Sequence, residues 1–269
     1  LNVRSKSFIR HIKLVNFDND EKFLILFLND YIQIWNLKNS TLRCRIDAQI
    51  TSNRAIEVLF NRILLLGTVQ NIEKVYFLEM WNLENCRLVQ RRINNYMIAA
   101  LKIIRNNLLA TSYYFTNKIM IWTLYDTLIA VKELEASTKL IVYLESNYNY
   151  LVSASLNGTL NIWDTRDWMM TDKIEPKQSK FIIYLKFLAD NNLLMIDSAG
   201  SIFKFKNFTS KINHFNDRIA HVEQFGENRF LLVSKNGYFK LWNFKSNQFE
   251  YSFNANTAVN TFVINKSKF

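Results

Sequence analysis

Glycine and proline are scarce in this chain of 269 residues, five of the first and one of the second. Loops that cradle phosphate need glycine, because only a residue without a Cβ lets backbone N–H groups close around the anion. Five glycines leave little to build one from, and neither G-x-x-x-x-G-K-S/T nor G-x-G-x-x-G occurs. The hydrolase elbow G-x-S-x-G and the zinc-protease signature H-E-x-x-H are missing too. Cysteine is limited to Cys44 and Cys86, too few for a disulfide framework and wrongly spaced for a zinc site. A reducing, intracellular setting, cytoplasmic or nuclear, is therefore expected. Long hydrophobic runs are absent as well. Phe23–Leu28 and Leu193–Ile196 are strand-sized, well short of the ~18 residues a membrane helix needs, so no transmembrane segment is expected. The opening residues, with Asn2, Arg4, Lys6 and Arg10 among them, lack the apolar stretch of an export signal. The sequons at Asn39, Asn157, Asn207 and Asn265 are what an asparagine-rich chain generates by chance.

Charge is unbalanced, with a net of +11 and a pI near 9.5. That raises nucleic acid, anionic membrane surfaces and acidic or phosphorylated peptides as partners. The longest basic runs are pairs such as Arg91-Arg92, so no basic tail or dense patch favours nucleic acid. Lys, Asn, Ile, Phe and Tyr are abundant together, a pattern that also reads as compositional drift.

Self-similarity is the strongest positive signal. The segments YIQIWNL, YFLEMWNL, KIMIWTL, TLNIWDT, SIFKFKNF and YFKLWNF align on Trp35, Trp81, Trp122, Trp163, Phe205 and Trp242. Their intervals are 46, 41, 41, 42 and 37 residues. A second marker, an Ile followed three and usually five places on by another apolar residue, falls at Ile9, Ile56, Ile98, Ile141, Ile182 and Ile219. Its intervals are 47, 42, 43, 41 and 37. The two ladders lengthen and shorten together, so six units are present.

Each unit reads as four short strands. In the fourth these are IVYLES, YLVSAS, TLNIWD and MMTDKI, with Asn157-Gly158 turning the central hairpin. Asn236-Gly237 in the sixth unit and Ala199-Gly200 in the fifth repeat the turn. The pattern predicts an all-β chain, a β-propeller of four-stranded antiparallel blades. It spans 1–269 as one domain, with units at 5–47, 48–94, 95–136, 137–176, 177–215 and 216–254 and a partial one at 255–269. Helical repeats fit badly, because the apolar runs lack a 3.6-residue period. His11 and His221 share a repeat position with Val58, Ala100, Tyr143 and Tyr184, which assigns them to packing; His214 is expected in a loop without partners for a metal. No catalytic residue, metal site or cofactor is expected, and the chain reads as no enzyme.

These units resemble the WD-repeat family over essentially the whole chain. LVSASLNGTLNIWD, from Leu151 to Asp164, is the best match, and Trp163-Asp164 alone keeps the dipeptide. Asn follows Trp35, Trp81 and Trp242, Thr follows Trp122, and Phe205 replaces the Trp. The family's Gly-His pair is missing almost everywhere, with Asn213-His214 the nearest approach. Its His–Ser/Thr–Trp–Asp hydrogen-bond network is therefore expected to be mostly absent. Packing then has to hold the blades, each large buried side chain contributing ~1.5 to 3 kcal/mol. Such families commonly close seven blades, and Val259, Phe262 and Ile264 have the spacing to start a seventh unit. A truncated seven-bladed propeller is the expectation, with a six-bladed ring as the alternative.

The resemblance also implies where partners dock: on the face shared by the entries to each first strand and the hairpins before each Trp strand. Arg54, Lys139, Lys180 and Arg218 stand just before their anchoring Ile, with Tyr96 and Ser7 in the other two units. The hairpins add Tyr113, Tyr114 and a polar loop from Val69 to Lys74. Arg and Lys interleaved with Tyr suit an acidic or phosphorylated segment. The implied function is a non-catalytic protein–protein scaffold or adaptor, such as the substrate-recognition part of a ubiquitin-ligase-type or other multiprotein complex. RNA or anionic-phospholipid binding through a basic face is the alternative.

Overall fold

A computed structural model describes residues 9–16, 22–70, 73–105, 107–125, 127–136, 140–175, 181–205, 211–215, 217–225 and 228–255. These contain strands and turns and no helix. The chain divides into two compact units, Leu1–Leu144 and Glu145–Phe269.

In the first unit, the first sheet comprises β1 (His11–Asn16), β2 (Lys22–Phe27), β3 (Ile32–Asn36) and β4 (Thr41–Ile46). The second comprises β5 (Gln49–Ile50), β6 (Ile56–Leu59), β7 (Ile63–Gln70), β8 (Val75–Asn82) and β9 (Arg87–Asn94). Its opening strand is broken in two, and β5 and β6 both pair with β7. The third holds β10 (Ile98–Ile104), β11 (Leu108–Tyr113), β12 (Lys118–Leu124) and β13 (Leu128–Glu135). The boundary falls within β14 (Ile141–Ser146), and the second unit holds β15 (Tyr150–Ser155), β16 (Leu160–Asp164) and β17 (Met170–Ile174). There follow β18 (Ile182–Phe187), β19 (Leu193–Asp197), β20 (Ser201–Phe205) and β21 (Lys211–His214). The last sheet is β22 (Ile219–Phe225), β23 (Arg229–Ser234), β24 (Tyr238–Asn243) and β25 (Gln248–Asn254). Six antiparallel sheets, each wound in sequence order, are the blades of a β-propeller.

Of the expected partial seventh unit, 255–269, only Ala255 is among the described residues; 1–8 lie outside them too. Two local expectations are corrected. His214 ends β21 rather than standing in a loop, and β7 continues to Gln70, so Val69 and Gln70 belong to a strand.

Both ladders mark real positions. Ile56, Ile98, Ile141, Ile182 and Ile219 start first strands and are buried, whereas Ile9 precedes β1 and is 36% exposed. Every Trp anchor, and Phe205, lies on a third strand. At Trp35, Trp81, Trp122, Trp163 and Trp242 the pairing with the fourth strand slips by one residue, a β-bulge. Fourth strands are largely exposed and middle strands buried, as in β17 against β16. Within the first unit, Ile25, Ile34, Leu64 and Leu66 join the first two sheets in one apolar cluster. Within the second, Ile196, Phe215, Val222, Phe230 and Trp242 do the same for the last two.

Of the polar network, the Trp-to-second-strand bond is found in two sheets. Trp122 Nε1 donates to Thr111 Oγ1 at 2.9 Å and Trp163 Nε1 to Ser153 Oγ at 3.1 Å, across to the second strand. The corresponding second-strand position is Leu26 or Leu66 in the first two sheets. There the indole turns to its own strand, donating to Gln33 Oε1 and Glu79 Oε2. The last sheet has Leu232 and Lys240 at these two places, neither an acceptor, and the buried Trp242 Nε1 has no partner. Ser153 is wholly buried. Trp163→Phe, which orphans its hydroxyl, is thus expected to cost about 1–3 kcal/mol more than Trp242→Phe in urea denaturation. Equal costs would mean that the indole N–H is energetically idle in both.

Asn after Trp does the work of Asp. Asp164 Oδ1 accepts Arg166 N at 2.8 Å, and Asn36, Asn82 and Asn243 accept the N–H two places on at 2.8, 2.7 and 2.9 Å. Each closes the turn into the fourth strand, for which a short side chain with an acceptor oxygen suffices. Five places after the anchor, Ser40, Cys86, Trp168 and Asn247 all adopt φ between 55 and 64°. With glycine so scarce, other residues take the left-handed conformation there.

Cys44 in β4 and Cys86 in that turn of the second sheet form a disulfide. The expectation drawn from the cysteine count is corrected here: two cysteines make no framework, yet one bond staples adjacent blades. The intracellular setting loses the support that the low cysteine count gave it.

Candidate functional site

The best-formed surface belongs to the third sheet, at the end where β10 starts and β11 passes to β12. A buried relay holds it. Trp122 Nε1 donates to Thr111 Oγ1, which donates to Tyr113 Oη at 2.9 Å, and Tyr113 Oη donates to Asn94 Oδ1 at 3.4 Å. Asn94 ends β9, so the relay ties the second sheet to the third. Two places on, Tyr96 lays its ring 6.2 Å from that of Tyr113. On the facing hairpin Tyr114 N donates to Met97 O at 2.9 Å, and the Tyr114 and Phe115 rings lie 6.1 Å apart.

What emerges into solvent is Tyr96, 49% exposed, and Phe115, 76% exposed. Tyr113 is buried, only 6% exposed, and Tyr114 is half-buried. Phe115, which the sequence pattern did not single out, has φ 64°; that breaks the in-and-out alternation of β11 and turns its ring outward.

Burial pushes the Tyr113 hydroxyl from 10.0 up to about 12, against the hydrogen bonds with Thr111 and Trp122. The folded state therefore holds this proton more tightly than the unfolded chain, whose tyrosine ionises near 10. The stability it contributes is complete below pH 10 and is lost as pH climbs from 10 through about 12. A spectrophotometric titration should show a tyrosine ionising near pH 12 that disappears in Tyr113→Phe; an unchanged titration curve would contradict the burial.

The basic entry residues are less alike than their spacing suggests. Arg54 is half-buried: its Nη2 donates to Tyr143 Oη at 2.8 Å and its guanidinium lies 3.8 Å from the centre of that ring. Its carbonyl accepts Leu101 N at 2.9 Å. Arg54 thus ties the entry of the second sheet to β10 and β14. Burial raises the Tyr143 hydroxyl above its usual range, with Arg54 opposing. Arg218, in the second unit, is exposed. Lys139 and Lys180 lie outside the described residues. Lys118 beside the aromatic surface is paired with Glu133 at 2.6 Å.

Among the described residues no group of three His, Cys, Asp or Glu could hold a metal ion, and no helix is long and apolar enough to cross a membrane. No family model and no curated protein sequence matches the chain. Blade topology carries the classification as a β-propeller.

Proposed function

We propose that the chain is a non-catalytic interaction module, a scaffold or adaptor that docks a partner protein on the aromatic surface of the third sheet. The supporting observation is the pair Tyr96 and Phe115, two large rings held in solvent on separate turns. A buried hydrogen-bond relay and a backbone bond fix those turns beneath them. Rigid exposed aromatics supply contact area with little entropy to lose, and such residues dominate binding energy at interfaces. The net charge of +11 favours acidic or phosphorylated segments in the partner. A role as the recognition part of a ubiquitin-ligase-type or other multiprotein complex rests on the WD-repeat resemblance alone.

The test compares proteins retained by the immobilised chain with those retained by Tyr96→Ala/Phe115→Ala. Removing two central aromatics should lower retention of a specific partner about thirtyfold or more, since such a residue is worth ~2 kcal/mol or more. The melting temperature should stay unchanged. Identical partner sets at equal yield would overturn the proposal. So would retention of nucleic acid alone, with the steep salt dependence of phosphate contacts.

A further inference from the structure

A cavity of about 420 Å³ opens between the first two sheets, well within the size range of ligand pockets. Antiparallel register places its walls. Gln49 of β5 lies opposite Val69 and Ile50 opposite Thr68, while Thr68 pairs with Phe77 of β8. Glu79, two residues along β8, pairs with Arg91 of β9.

Among the described residues, the one cation lining the cavity is already engaged. Arg91 Nη2 lies 2.7 Å from Glu79 Oε1, and its guanidinium sits 4.8 Å from the centre of the Phe77 ring. Glu79, 1% exposed, also accepts Trp81 Nε1 at 2.9 Å. What remains unfilled is a set of acceptors. Thr68 is 3% exposed, and its buried hydroxyl has no hydrogen-bond partner. Gln49 Oε1 is buried without one as well. Both line the cavity, and an orphaned buried polar atom is uncommon enough to need a cause. Asp30, on the β2–β3 turn, and Asp47, after β4, add two exposed carboxylates to the lining. Asp47 is shared with Arg45 at 2.7 Å, and Asp30 has no ion-pair partner among the described residues. In a chain of net charge +11 this leaves one uncompensated carboxylate, Asp30, beside acceptors that lack donors.

We infer that the cavity is a binding site for a cationic hydrogen-bond donor, a guanidinium or ammonium group. Its charge is balanced by Asp30, with Asp47 shared between it and Arg45, and its N–H groups reach Gln49 Oε1 and Thr68 Oγ1. An anion fits badly, because Arg91 is held by Glu79 and both remaining carboxylates would repel it. The cation comes from a basic side chain of a bound chain or from a free polyamine, and the probes below separate the two. The site is independent of the aromatic surface of the third sheet, and either can fail without the other.

The test is calorimetric titration of the whole chain, at low salt, with N-acetylarginine methylamide, its neutral isostere N-acetylcitrulline methylamide, and spermidine. The arginine probe or spermidine should bind at least tenfold more tightly than the citrulline probe. Whichever of the two is tighter identifies the source. Asp30→Asn combined with Thr68→Val should lower that affinity at least tenfold. Thr68→Val alone should keep or raise the melting temperature without ligand, because it removes an unpaired buried hydroxyl without changing shape. Binding of the arginine probe and of spermidine that is in both cases no tighter than that of the citrulline probe, no binding of either cation, or binding indifferent to the double variant would each overturn the inference.

Discussion

Replacing Gly200 with alanine should destabilise the fold by about 3–5 kcal/mol, a range that few single substitutions reach. Two costs combine. Gly200 has φ +90°, where an L side chain is strained, a penalty of about 1–2 kcal/mol by itself. A Cβ there would also lie 2.1 Å from the Phe215 carbonyl oxygen and 2.8 Å from that of Asp217. Those are backbone atoms that cannot rotate away, and the turn is fixed on both sides. Phe215 N donates to Gly200 O at 2.8 Å, while Asp197 Oδ1 accepts Ala199 N and Ser201 N at 3.0 and 2.8 Å. Phe215 is itself part of the apolar cluster joining the last two sheets, so displacing it disturbs their packing. Urea denaturation of the variant checks this; a loss below about 1 kcal/mol would show that the turn can move away from Phe215.

Loss of the Cys44–Cys86 bond is the second large effect. The bond closes a segment with a sequence separation of 42 residues that contains the end of β4 and, from the second sheet, β5 to β8. On the chain-entropy account a loop of that length contributes about 4 kcal/mol by constraining the unfolded chain. The neighbourhood supports the native end of the link. Arg43 Nε donates to Glu84 O at 3.0 Å, and Arg62 pairs with Glu84 at 3.4 Å. Both cysteines pack on the apolar cluster between the first two sheets. Cys44→Ala/Cys86→Ala should therefore unfold at markedly lower urea than the oxidised protein, and reduction of the native chain should reproduce the loss. Two freely titrating thiols in the folded, air-oxidised protein would contradict the bond.

The repeat was legible because it is written in the residues that pack. Ile141, Trp163 and most of their counterparts are buried on strands that recur about every 40 residues, where burial favours large apolar side chains; Ile9 is exposed, and Trp35 and Trp81 are partly buried. In the fourth unit the expected TLNIWD and MMTDKI became Leu160–Asp164 and Met170–Ile174, a residue shorter each. Departures from the family dipeptide proved to be conservative. Asn36, Asn82 and Asn243 close the same turn as Asp164, which is chemistry that a motif comparison scores as a mismatch.

The candidate sites were less legible, because each depends on contacts between residues far apart in the chain. Arg54 looked available until Tyr143, 89 residues on, took its guanidinium. Tyr113 and Phe115 read alike in TSYYFTN, and only the backbone turn at Phe115 decides which ring is buried and which is exposed. Glu79 and Thr68 look like ordinary polar strand residues. Their burial arises because their face of the second sheet packs on the first, and nothing in local composition signals that.

Native-state hydrogen exchange, resolved by segment, tests the blade architecture most directly. Six protection maxima should appear, on β2–β3, β7–β8, β11–β12, β15–β16, β19–β20 and β23–β24, with β4, β9, β13, β17 and β25 exchanging faster as exposed last strands. Last strands as protected as the middle ones, or protection without six maxima, would contradict it.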